Sequence, residues 1–257
     1  MQRRNILGVY IDNCDQEDAG MLLSRFLDET PPALHQVCTV NPEFVMEARR
    51  NPIFKGTLNR AALCTPDGVG IILAGKLLRR PFRGRATGVG MVDQLGALSA
   101  KGGYSLYLLG AAPGVAEKAA AALQQKHPGA TIAGTYSGSP RNEDWPAIRE
   151  RLWAARPDVL LVAFGAPRQD LWIAEHSIEL PPSVKVAMGV GGVLDYLSGR
   201  VLLAPVLVRR LGLEWLFRLM MQPWRWKRIL QVLVFGLLVL WQTIRGTGSD
   251  TKERAQA

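Results

Sequence analysis

The chemistry-bearing residues are led by one carboxylate, Asp67, in the run Thr65-Pro66-Asp67-Gly68. It follows a short apolar strand pattern and precedes a helical one, so it sits where a strand should meet a helix. A carboxylate there can act as a general base toward a hydroxyl nucleophile or as a helix N-cap. The residues alone leave both readings open. No Asp-x-Asp occurs in the chain, so the usual carboxylate pair for a metal on a nucleotide diphosphate has no candidate. No metal or other cofactor is expected. A leaving diphosphate would then need cations or backbone amides. Arg85, Arg218, Arg225 and Arg228 could supply them, because a guanidinium matches phosphate in bidentate fashion. The last three would serve equally well in contacts to lipid.

Other polar or glycine-rich runs also follow strand patterns: Thr39-Val40-Asn41-Pro42, Gly110-Ala111-Ala112-Pro113-Gly114, Gly165-Ala166-Pro167-Arg168-Gln169-Asp170 and Gly189-Val190-Gly191-Gly192, with Asp195 soon after. Ligands of open parallel sheets bind outside the carboxyl ends of the strands, so together these loops suggest a site of nucleotide size. Gly110 opens a run resembling a phosphate cradle, but its spacing is not Gly-x-Gly-x-x-Gly and no Walker lysine follows. An ordinary strand-to-helix turn explains it equally well. His35, His127 and His176 lack a nucleophilic partner and read as structural or surface residues. Trp145, Trp153 and Trp172 read as helix packing.

The elements that must position these residues alternate. Ile6–Ile11, His35–Val40, Ala61–Thr65, Ser105–Leu109, Thr131–Tyr136, Val159–Phe164 and Val184–Gly189 predict strands. Gln16–Leu27, Val69–Leu78, Val115–Lys126, Trp145–Ala155 and Gln169–His176 predict helices between them. Such alternation implies βαβ units and a mostly parallel, Rossmann-like sheet with helices on both faces. The near-continuous apolar strands fit a sheet covered on both sides. The 257 residues allow one large domain with an appendage, assigned to 1–200 and 201–257. Cys14, Cys38 and Cys64 are odd in number and widely spaced, which argues against a disulfide framework or a zinc site and for a reducing, cytoplasmic setting. The basic N-terminus reads as a first strand rather than a signal peptide.

The charge is uneven. Residues 198–257 hold ten basic and three acidic side chains, a net of +7, leaving only +2 of the total +9 to the rest. Basic tails attract polyanions. Pro205–Met221 predicts an amphipathic helix, and Pro223-Trp224-Arg225-Trp226-Lys227-Arg228 interleaves indoles with cations. Ile229–Trp241 is nearly all apolar, yet its 13 residues fall short of the roughly 20 that a bilayer span requires. Indoles and cations beside such a run suit an anionic membrane surface, with the helix lying in the interface. Single-stranded nucleic acid would also suit aromatics and cations, but has no use for the apolar run. Burial of this helix on the core or in an oligomer interface is the alternative.

In order, these loops resemble the WecG/TagA/CpsF family of bacterial glycosyltransferases, from Thr39-Val40-Asn41-Pro42 through Thr65-Pro66-Asp67-Gly68, Arg85-Ala86-Thr87-Gly88, Gly165–Asp170 and Gly189–Gly192 to Gly212-Leu213-Glu214-Trp215-Leu216-Phe217-Arg218-Leu219. The resemblance implies an inverting, metal-independent transfer from a UDP-sugar to a polyprenyl-diphosphate-linked saccharide. The sugar would be a hexose, N-acetylmannosamine or its uronic acid. The work would be done at the cytoplasmic face of the plasma membrane by a peripheral or monotopic protein. It implies Asp67 as catalytic base, with Arg85 and Gln169 beside it and Thr39 and Asn41 contacting substrate. Arg218, Arg225 and Arg228 would hold the diphosphate, and Tyr136 and Asp195 would touch the nucleotide. The family often carries Glu where this chain has Gly84. A non-catalytic nucleotide-binding module of a polysaccharide-assembly complex is the alternative, and homo-oligomerisation is left open.

Overall fold

The computed structural model describes residues 1–201 and a helix at 226–245, the latter's side chains from Gln231 on. The predicted amphipathic helix at 205–221, and with it Arg218 and Arg225, lies outside the described residues.

Six strands, β3 (His35–Val40), β4 (Leu63–Pro66), β5 (Ser105–Gly110), β6 (Thr131–Tyr136), β7 (Val159–Ala163) and β8 (Val186–Gly189), form one sheet in the order β4-β3-β8-β7-β5-β6. Every pairing is parallel, as the βαβ alternation requires. Helices α1 (Gln16–Asp28), α5 (Gly88–Gly102), α6 (Val115–Lys126) and the short α9 (Val193–Leu197) follow or flank these strands. So do α2 (Pro42–Arg50), α3 (Pro52–Arg60), α4 (Val69–Leu77), α7 (Trp145–Ala155) and α8 (Arg168–His176). Because strand side chains alternate, Val37, Leu63, Leu108, Leu161 and Met188 enter the core on the α1, α5 and α6 side. Cys38, Cys64, Leu109 and Val162 point to the other face, in two clusters. The sheet is therefore buried on both sides.

One expectation needs correction. Ile6–Ile11 is not a single strand of this sheet: β1 (Arg3–Ile6) and β2 (Val9–Asp12) form a separate antiparallel hairpin. Leu7 and Gly8 turn it, both with positive φ (52° and 90°), as a tight hairpin demands. The apolar run hid the turn because Leu7 is an unusual residue in that conformation. Asp12 pins the hairpin to the sheet, accepting from Arg3 Nε at 3.3 Å and from the backbone N–H of Cys64 at 2.8 Å. Arg3 donates onward to the carbonyls of Asn59 (2.9 Å) and Ala61 (3.1 Å).

The helix at Trp226–Arg245, α10, is longer than the apolar run suggested and is neither wholly buried nor detached. Phe235 and Val239 enter the cluster of Ile6, Phe44 and Ile71, while α2 and α4 flank the helix. Gln242 grips the hairpin: its Oε1 accepts from Leu7 N–H (3.0 Å) and its Nε2 donates to the Asn5 carbonyl (3.2 Å). The opposite side stays exposed and apolar, with Leu233, Leu237, Leu240, Trp241 and Ile244 outward. No helix among the described residues is long and apolar enough to cross a membrane.

Candidate active site

The carboxyl ends of the strands carry the loops that the residues singled out. Asp67 leaves β4, but it is not the N-cap of α4. That position belongs to Gly68 (φ 87°), which makes no side-chain cap. Asp67 instead turns its Oδ2 to the backbone N–H of Gly88, at 3.3 Å, the first residue of α5. A helix N-terminus favours a negative group at that point. Its own backbone N–H donates to the Val40 carbonyl at 2.9 Å, which ties the β4 loop to the end of β3.

Thr39, at the end of β3, faces the same spot. A Cβ built on Gly88 would lie 3.5 Å from Thr39 Oγ1 and 3.4 Å from Val193 Cγ2, so α5 begins where the loops after β3, β4 and β8 meet. The Thr39 hydroxyl makes no hydrogen bond to a described residue, although the residue is only 8% exposed. Asn41 caps α2, its Oδ1 accepting from Phe44 N–H at 3.1 Å, with Pro42 at the first helical position. Its side-chain NH2 stays unpaired among the described residues, and its Cβ lies beside Gly68. The structure thus brings Asp67, Thr39 and Asn41 together.

Arg85 lies in the segment leading to α5, held there by its neighbours. Ala86 N–H donates to the Pro66 carbonyl, and the Ala86 carbonyl accepts from Thr65 Oγ1, both at 3.0 Å. The Arg85 guanidinium makes no ion pair or hydrogen bond with a described residue. Gly84 has a packing reason: an added Cβ would lie 2.6 Å from Asp15 Cβ and 3.3 Å from Asp15 Cα, leaving no room for a side chain.

Gln169 is buried, with 2% exposed, in the first turn of α8. Its Oε1 accepts from the backbone N–H of Gly165 (3.1 Å) and of Gly191 (2.9 Å), joining the loops after β7 and β8. Its role in this structure is therefore to shape the loops. Arg168 beside it is exposed and makes no ion pair with a described residue. A cation opening a helix carries no distinctive pattern, so nothing in the local sequence marks Arg168.

The remaining candidates are more dispersed. Gly110 has φ 97°, and an added Cβ would lie 2.8 Å from Phe164 Cδ1, so close packing on β7 already requires glycine. Gly114 begins α6 without a side-chain cap. Asp195 on α9 lies 3.6 Å from the Arg200 guanidinium. Tyr136 ends β6, the opposite margin of the sheet, with the Arg151 guanidinium 4.5 Å from its ring centre. Five strand spacings separate β6 from β4, about 24 Å. Tyr136 and Asp67 thus mark the two ends of the row of loops. Arg228 lies on α10, its side chain outside the described residues. No group of three or more metal-binding side chains occurs among the described residues.

Beneath Gln169 lies a group that the sequence did not flag. Asp170 is completely buried, and neither of its carboxyl oxygens makes a hydrogen bond of normal length. Burial pushes its pKa up from the usual carboxylate range to about 7. In sequence it looks like any acid in the first turn of a helix, so nothing local could have marked it.

Known proteins resemble this chain over most of its length. The model of the Glycosyl transferase WecG/TagA/CpsF family matches residues 4–249. The N-acetylglucosaminyldiphosphoundecaprenol N-acetyl-beta-D-mannosaminyltransferase of Bacillus spizizenii is 32% identical over 219 residues, covering 85% of this chain and 83% of that protein. The transferase of the same name from Bacillus subtilis is 31% identical over the same length. Its namesake from a Staphylococcus aureus strain is 31% identical over 225 residues, covering 88% and 86% of the two chains. With that match spanning nearly its whole length, the chain belongs to the WecG/TagA/CpsF family of glycosyltransferases.

Proposed function

We propose that this protein transfers a sugar, with inversion and without a metal, from a UDP-sugar to a polyprenyl-diphosphate-linked saccharide at the membrane surface. The observation that carries the reading is the convergence of the Asp67 carboxylate, the unpaired Thr39 hydroxyl and the amide start of α5, with the unpaired Arg85 cation on the adjoining segment. The acceptor hydroxyl gives its proton to Asp67 as its oxygen attacks the anomeric carbon. The bond from that carbon to the diphosphate breaks on the opposite face, and the electron pair leaves with UDP. Arg85 and backbone N–H groups would stabilise the departing charge, with Arg218, Arg225 and Arg228 as further candidates for holding the diphosphate. The relatives' names specify an N-acetylglucosaminyl-diphosphate lipid as acceptor and N-acetylmannosamine as the sugar moved. Both are the first candidates here, ahead of a hexose or the uronic acid.

Membrane attachment is supported by the outward face of α10, where Leu237 is 68% and Ile244 76% exposed, and by exposed Leu73 and Leu77 on the flanking α4. A patch of this kind on a basic chain suits the anionic cytoplasmic leaflet. Incubation with a panel of UDP-sugars and a short lipid-diphosphate N-acetylglucosamine, read by mass spectrometry, tests the activity. Asp67→Asn is expected to bind UDP as the native protein does while turnover falls by about 10²-fold or more. Unchanged turnover removes Asp67 from the chemistry, and no donor consumed with any acceptor leaves a nucleotide-binding module.

A further inference from the structure

One level below the loops, a row of residues crosses the sheet: Cys64, Cys38, Gly189, Val162 and Leu109. Cys64 pairs with Cys38, Gly189 with Val162, and Val162 with Leu109, while Cys38 follows the Val37–Met188 pair. At Gly189 the row has a gap, and α8 fills it. A Cβ built there would lie 2.5 Å from Gln169 Nε2 and 2.7 Å from Asp170 Oδ1. Two consecutive side chains of one helix thus occupy the space that the glycine leaves. The Asp170 backbone is tied to β3 as well, its carbonyl accepting from Gln36 Nε2 at 2.8 Å.

An unpaired buried carboxyl is expensive. A leucine would fill the same volume without the penalty, so the group calls for a reason beyond packing. Its polar neighbours are the Cys38 thiol, which packs beside Cys64, and the Gln169 amide; no charged side chain adds to them. Burial favours the protonated form, with the pKa raised to about 7. The amide oxygen of Gln169 is fully engaged by Gly165 and Gly191, which leaves its nitrogen over Gly189 as the end still to be held.

We propose that Asp170 is a positioning residue that holds the amide end of Gln169 and so keeps the loops after β7 and β8 locked together at the active site. The effect on catalysis rests on the transferase reading, whereas the effect on the loops does not. The carboxyl can accept from that amide in either protonation state, and more strongly as the carboxylate, so the lock does not depend on the proton.

Hydrogen exchange on the full chain, resolved at the Gly165 and Gly191 amides, tests the lock without any substrate. In Asp170→Leu, both amides should exchange about tenfold faster, the scale of one lost hydrogen-bond restraint. The melting temperature should stay at or above that of the native protein. Asp170→Asn, which can still accept from Gln169, should stay within about threefold of native exchange. Turnover should follow the same order, with kcat falling in the leucine variant more than donor KM changes. Native exchange in the leucine variant, or equal loosening in both variants, overturns the proposal. Should the leucine variant fail to fold, Asp170→Ala, which removes the carboxyl without adding bulk, decides by the same exchange measurement. Loosened loops in a protein that transfers no sugar would overturn the functional reading and leave this one standing.

Discussion

Replacing Asp170 by asparagine should make this protein more stable at neutral pH than in acid, relative to the native chain. The native carboxyl stays protonated up to about pH 7, whereas in the unfolded chain it ionises near 3.8. Between those values the unfolded state sheds a proton that the folded state keeps. The contribution of Asp170 to native stability therefore falls as pH rises from about 4 to about 7, then levels off. At about 1.4 kcal/mol per pH unit, the whole interval amounts to about 4 kcal/mol. About 3 kcal/mol of this falls between pH 5 and pH 8. The residue is fully buried, so solvent screening does not dilute the effect. Asparagine cannot titrate, and whatever fixed penalty its own amide brings is the same at every pH. Urea unfolding of both proteins at pH 5, 6, 7 and 8 gives the difference directly. A variant-minus-native gap that grows by about 3 kcal/mol supports the argument. A gap that stays constant across the range would refute it, because Asp170 would then titrate alike in both states.

Other perturbations probe the frame around the site. Asp12→Ala strands Arg3 and the Cys64 amide, and should cost about 3–5 kcal/mol in denaturant unfolding, as breaking a buried pair does. Gly84→Glu forces a side chain into Asp15 and sets two carboxylates together. It should lose about 1–3 kcal/mol by the same measurement. The double change Leu237→Glu with Trp241→Glu touches only the exposed face of α10. It should leave the melting temperature nearly unchanged while abolishing flotation with anionic vesicles, and retained flotation would move the membrane contact elsewhere.

The layered α/β architecture could be read directly from the chain, because parallel strands buried on both faces write themselves as apolar runs between amphipathic helices. Thr39, Asn41 and Asp67 were legible for a related reason: in such sheets the carboxyl ends are where ligands go, so polar residues after strands are candidates before any contact is known. Composition likewise exposed the basic, indole-rich tail. Local pattern could not reveal a hairpin turned at Leu7, since only pairing across β1 and β2 makes a leucine adopt positive φ. Nor could it show that Asp67 leaves the start of α4 to Gly68 and faces α5 instead. That depended on Gly88, 21 residues away, offering its amide to the carboxylate. Tertiary packing alone decided that Gln169 spends its oxygen on two loops, that α10 presents one face to the core and the other to solvent, and that Asp170 is sealed in the core. Burial and pairing are properties of the space between elements, and a one-dimensional pattern records only which elements form.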